Sequence, residues 1–134
     1  MNKYIAAVDP GKDKCGVAVL DMSGGIIYRE VVMTDDLINI LQSKKDLYHY
    51  DKLIIGNGTT SGRAGEKIKN VLSDVEVIVV DEYNTTQLAK QEYWNLCPPK
   101  GWRRFFPLGM QVPPVPVDDI VAVILGRRYL EDMN

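Results

Sequence analysis

Lys3-Tyr4-Ile5-Ala6-Ala7-Val8-Asp9-Pro10-Gly11 is an apolar run that ends in a carboxylate and breaks at once on Pro-Gly. Its length and composition fit a strand covered on both faces. Such a strand should carry no carboxylate unless that group is paired, protonated or holding a cation. Asp9 therefore belongs at the mouth of a sheet, where the interior meets solvent. A second run, Gly16-Val17-Ala18-Val19-Leu20, follows the reversal Lys12-Asp13-Lys14. A third, Gly25 through Met33, follows Ser23-Gly24-Gly25, which reads as a hairpin turn. Strands over about 3–9, 15–21 and 25–33 are thus expected to lie antiparallel.

From Thr34 the period changes. Thr34, Asp35 and Asp36 read as a helix start leading into Leu37, Ile38, Ile40 and Leu41 at helical spacing. Leu53-Ile54-Ile55-Gly56 is a short buried strand. A helix over about 62–73 presents Ala64, Ile68, Val71 and Leu72 on one face, and Val75 through Val80 forms another strand. A further helix runs from Thr85 through Leu88, Ala89 and Trp94 toward Pro98-Pro99. Residues 98–116 hold six of the seven prolines and no usable period, and loops of that length are often functional. An amphipathic helix from Asp118 through Ile120, Val121, Ile124, Leu125 and Tyr129 closes the order. The pattern β-β-β-α-β-α-β-α-loop-α predicts a single α/β domain over 1–134, with a five-stranded mixed sheet and helices on both faces.

Composition narrows the chemistry. At 134 residues the chain fits one domain. No apolar stretch reaches the roughly 20 residues that span a bilayer, and no leader pattern is visible, so a cytoplasmic protein without a membrane partner is expected. Cys15 and Cys97 lie far apart and read as reduced thiols. His49 is the lone histidine, which disfavours a histidine-ligated zinc site or a histidine-dependent triad. The formal net charge of −2 argues against nucleic-acid binding by the whole surface, leaving a local basic patch open.

What chemistry exists must come from carboxylates. Parallel strands of an open sheet deliver their carboxyl ends to one edge. Asp9 ends the first strand, Asp81 and Glu82 follow the last, and Asp118 and Asp119 open the final helix. Taken singly, Asp9 is also a turn former, Asp81 a strand-end cap, and Asp118 or Asp119 an N-cap. Together, several carboxylates cannot all stay ionised at close range without a cation. Hard divalent ions with oxygen ligands resolve that conflict, and two of them roughly 4 Å apart suit phosphodiester hydrolysis.

These residues resemble the YqgF-type family of RuvC-like Holliday junction resolvases, within the ribonuclease H-like superfamily. Val8-Asp9-Pro10-Gly11 followed by Gly16-Val17-Ala18 is similar to the family's Asp-Pro-Gly and Gly-x-Ala. Asp81-Glu82-Tyr83-Asn84-Thr85-Thr86 with Ala89 is similar to its Asp-Glu-Arg-x-Thr-Thr-x-x-Ala. Asp118 with Ala122 and Tyr129-Leu130 is similar to its closing Asp-x-x-Ala-Ala helix. The chain departs from the family at Tyr83, where the family has Arg, and in Gly56 through Arg63, which lacks the family's proline. The resemblance implies that Asp9, Glu82 and Asp118 are metal-binding catalytic acids; Mg²⁺ or Mn²⁺ is the expected cofactor, and Asp119 is expected as a fourth ligand or orienter. The resemblance also implies cleavage of structured DNA or RNA, either Holliday junction-like DNA or precursor ribosomal RNA.

Other segments supply candidate nucleic-acid contacts. Lys12 and Lys14 lie in the reversal after Asp9. Gly56-Asn57-Gly58-Thr59-Thr60-Ser61-Gly62, with Arg63 behind it, joins a strand to a helix, so Asn57, Thr59, Thr60 and Arg63 are placed for phosphate; a plain turn is the alternative. Lys100, Trp102, Arg103 and Arg104 interleave charge and aromatic surface, suiting phosphate pairing and base stacking; packing onto the body or a homodimer contact is the alternative. Arg127-Arg128 reads as a solvated basic face complementing the helix dipole. Two rivals to the nuclease reading are a non-catalytic nucleic-acid-binding or scaffolding protein of this fold, and a nucleotide phosphotransferase using an Asp-x-Gly turn. The short chain, without a second lobe, disfavours the latter.

Overall fold

A computed structural model describes residues 3–58, 61–96 and 116–133. Three strands come first: β1 (Tyr4–Asp9), β2 (Lys14–Asp21) and β3 (Ile26–Met33). Helix α1 (Leu37–Tyr48), strand β4 (Lys52–Gly56), helix α2 (Ser61–Val71) and strand β5 (Glu76–Val80) alternate after them. Helices α3 (Thr85–Leu96) and α4 (Asp118–Met133) complete the order. The sheet runs β3-β2-β1-β4-β5, antiparallel across β3-β2-β1 and parallel across β1-β4-β5. This is the expected five-stranded mixed sheet with β1 at its centre. No helix among the described residues is long and apolar enough to cross a membrane.

The alternation of side chains along β1 explains its uninterrupted apolar sequence. Ala6 and Val8 face a core built with Val17, Leu53, Ile55, Leu37, Leu41, Ile68 and Leu72, under α1 and α2. Ile5 and Ala7 face the opposite core with Leu20, Ile54, Ala89, Ile120, Val121 and Leu125, under α3 and α4. Asp9 continues the odd-numbered series, which puts it on the α4 face at the carboxyl end of β1.

Three local expectations are corrected. The helix start at Thr34 is a 3₁₀ turn over Thr34–Asp36, and no side chain caps it. The Thr34 hydroxyl instead donates to the Gly11 carbonyl at 3.0 Å, and its amide donates to Asp13 O at 2.9 Å. These bonds pin the turn after Asp9. Val71 is 51% exposed rather than buried, because α2 ends there and Leu72 alone turns back into the core. The third correction concerns Arg127 and Arg128, which are anchored rather than solvated. Arg127 Nε donates to Gly24 O at 2.9 Å and pairs with Glu92 at 3.6 Å; Arg128 reaches the turn after β5. The β2–β3 reversal was read correctly: the Asp21 carboxylate accepts bonds from Ser23 and Gly25, and Gly24 has φ 90°.

Candidate functional site

Asp9 pairs with Gly16 across the antiparallel β1–β2 ladder. On its other side, Val8 pairs with Ile55 of β4, so the next residue, Gly56, lies beside Asp9 as well. Glycines thus flank Asp9 on both neighbouring strands, and each is a seat. A Cβ on Gly16 would collide with the carbonyl oxygen of Asp118, so the α4 N-terminus rests directly on the β2 backbone. A Cβ on Gly56 would lie 2.6 Å from Oε2 of Glu82. Gly58 is equally close, its Cβ position 3.0 Å from Glu82 Cδ. Glycine inside a strand marks such close approaches. Their effect here is to let one acid enter from each side of Asp9.

The charges register that arrangement. The Asp9 carboxyl is pushed up from 3.8 to about 7, first by burial and then by the negative charges of Asp118 and Glu82. Burial also raises Asp118, the charge of Asp119 raises it further, and the Lys14 ammonium opposes both. Lys14 is therefore close enough to act on Asp118. Lys12 and Arg63 are exposed.

Asp119 is buried and paired with Arg29. Its Oδ2 lies 2.6 Å from Nη1 of Arg29 on β3, and its Oδ1 accepts the Ile120 amide at 3.0 Å. Neither oxygen is free of a local partner, which anchors the first turn of α4 to β3. Asn57 is likewise engaged within the chain: its Oδ1 accepts the Glu82 amide at 3.2 Å. Thr59, Thr60, Lys100, Trp102, Arg103 and Arg104, with Cys97, lie outside the described residues.

The turn carrying Glu82 is braced by named groups. Asp81 Oδ1 accepts the Tyr83 amide at 3.0 Å, the Thr85 hydroxyl donates to Glu82 O at 2.8 Å, and Asn84 adopts φ 61°. Arg128 of α4 donates to Asp81 O at 2.7 Å and to Tyr83 O. Tyr83 itself is 78% exposed. Neither the pairing of Arg29 with Asp119 nor the reach of Arg128 to this turn has a local signal in the sequence.

Among the described residues, no group of three or more His, Cys, Asp or Glu side chains is drawn together closely enough to hold a metal ion. The donor set nevertheless fits a hard divalent cation in type and charge: all-oxygen donors, one of them pushed up to about 7 by burial and by the charges of the other two. Without a cation, mutual repulsion favours carboxylates that stand apart.

No family model matches this sequence. The uncharacterized protein YdcI of Bacillus subtilis (strain 168) is 30% identical over 111 residues, covering 70% of this chain. The chain spans 15% of the length of that relative. The fowlpox virus resolvase, solved in complex with its substrate Holliday junction DNA, superposes with a TM-score of 0.61 at 18% identity, covering 97% of this chain and 98% of that one. RuvC of Thermus thermophilus superposes with a TM-score of 0.60 at 16% identity, covering 98% and 96%. At those identities the likeness speaks to architecture, and the architecture is ribonuclease H-like.

Proposed function

We propose that the chain is a metal-dependent endonuclease acting on structured nucleic acid, as the YqgF-type resemblance implies. The observation that carries this reading is the seating of Asp118 and Glu82 on glycines either side of Asp9, where burial first and then their two charges push its carboxyl up to about 7. Asp9, Glu82 and Asp118 would hold Mg²⁺ or Mn²⁺. What such ions supply when bound is Lewis acidity toward a phosphodiester. Asp119, fixed by Arg29, serves as an orienter of the α4 N-terminus rather than a ligand. Lys14, Lys12 and Arg63 offer cations to the substrate backbone, and phosphate contacts of this kind fix register without reading sequence. Asn57 braces Glu82. Four-way junction DNA is favoured over precursor ribosomal RNA, supported by the likeness to a resolvase solved with such a junction.

The test is cleavage of labelled four-way junction DNA and of structured RNA, with Mn²⁺ or Mg²⁺ against chelator. Wild type should cut the junction only with metal, and Asp9→Asn should bind it without cutting. Binding without cleavage by wild type would favour the scaffolding alternative. Undiminished cleavage by Asp9→Asn would remove the acid site from the mechanism.

A further inference from the structure

We propose that Arg128 is a positioning residue for Glu82, an inference that rests on the reading of Glu82 as a member of the acid site. Glu82 lies in an irregular turn between β5 and α3, where no ladder fixes it. The bonds from Tyr83 N to Asp81 and from Thr85 to Glu82 O are local. They set the shape of the turn but not its place relative to Asp9 and Asp118. Strand β5 in the sheet and α3 packed on α4 bring the turn to this edge, and two side chains distant in sequence then hold it there. Asn57 accepts the Glu82 amide at 3.2 Å, and Arg128 grips the carbonyls of Asp81 and Tyr83, the residues either side of Glu82.

The Arg128 contact has a property the other bonds lack. A guanidinium is a rigid planar fork, so two of its nitrogens on two carbonyls fix orientation as well as distance. Its carrier is α4, the helix whose first residue is Asp118. Ten residues of helix separate them, about 15 Å along one stiff rod. Arg128 thereby ties the backbone of one acid to the element that presents another. A lysine has a single ammonium centre and cannot reproduce a planar two-point grip.

The test uses the whole protein and compares Arg128→Ala and Arg128→Lys with wild type. In the metal-free protein, amides at Glu82 and Tyr83 should exchange about tenfold faster in Arg128→Ala, while amides of the central strands keep their protection. Mn²⁺ affinity by calorimetry should fall about tenfold, with Arg128→Lys recovering little of it. In a Glu82→Gln background the Arg128→Ala change should cost nothing further, because the residue it positions is already disabled. An equal loss in that background would overturn the proposal, since Arg128 would then act through something else. Wild-type Mn²⁺ uptake with no effect of Arg128→Ala would overturn the clamp alone. Failure of wild type to take up Mn²⁺ would overturn the metal site and the clamp's role with it.

Discussion

Replacing Asp9 with Asn should make the metal-free protein more stable above neutral pH. The folded carboxyl is pushed up from 3.8 to about 7 by burial and by Asp118 and Glu82, so between those values the folded chain keeps a proton that the unfolded chain gives up. The associated stability is therefore complete below the unfolded value, declines as pH rises through the interval, and is lost above about 7. At about 1.4 kcal/mol per pH unit, that interval sets a limit of about 4 kcal/mol. Water reaching the half-buried carboxylate screens part of it, leaving about 2 kcal/mol. An asparagine has no proton to lose and escapes the decline. Urea unfolding in chelator near pH 4 and near pH 8 should show the variant gaining about 2 kcal/mol over wild type at the higher pH and little at the lower. Adding Mg²⁺ or Mn²⁺ at the higher pH should stabilise wild type and leave the variant unmoved. A variant-to-wild-type difference that is the same at both pH values would refute the electrostatic account of Asp9.

The two glycine seats should respond differently to a methyl group. Gly16→Ala meets the Asp118 backbone, which cannot yield, and should cost about 3 kcal/mol in urea unfolding; a silent substitution would mean that α4 does not rest on β2. Gly56→Ala meets the movable Glu82 carboxylate most closely, with Glu82 Cβ and Leu125 Cδ1 each 3.4 Å away, so stability should change by only about 1 kcal/mol. Mn²⁺ affinity should nevertheless shift about tenfold, and an unchanged calorimetric titration would count against the seat. Arg29→Met leaves Asp119 buried without its cation and should destabilise by about 2 kcal/mol, the partial exposure of Arg29 softening the usual loss; equal stability by thermal unfolding would show the pair to be dispensable.

Much of this fold is legible in the sequence because it rests on periodicity. Strands covered on both faces read as unbroken apolar runs, and β1, β2 and β4 are of that kind. The acids were findable for a topological reason, since β1 and β5 run parallel and end at the same edge of the sheet. Their braces were not. Arg29 and Asp119 are joined only by tertiary packing, so no local spacing announces the pair. Arg127 and Arg128 resemble basic residues near a helix end, although α4 runs on to Met133, and that likeness hides their separate anchors in the β2–β3 and β5–α3 turns. Thr34 resembles a helix cap because the same hydroxyl chemistry serves a cap and a cross-chain bond. The glycines did leave a signal: Gly16 interrupts an otherwise apolar strand and Gly56 ends one, and a missing side chain there marks a place where something else must fit.

Helix α4 touches all five strands and brings Asp118 with it. The hairpin of β1 and β2 can form early from local pairing, but the third acid arrives only when the last element docks across sequence-distant partners. A partly folded chain therefore lacks both Asp118 and the Arg128 brace on the Glu82 turn. Whatever chemistry the three acids support is therefore withheld until the last helix has docked.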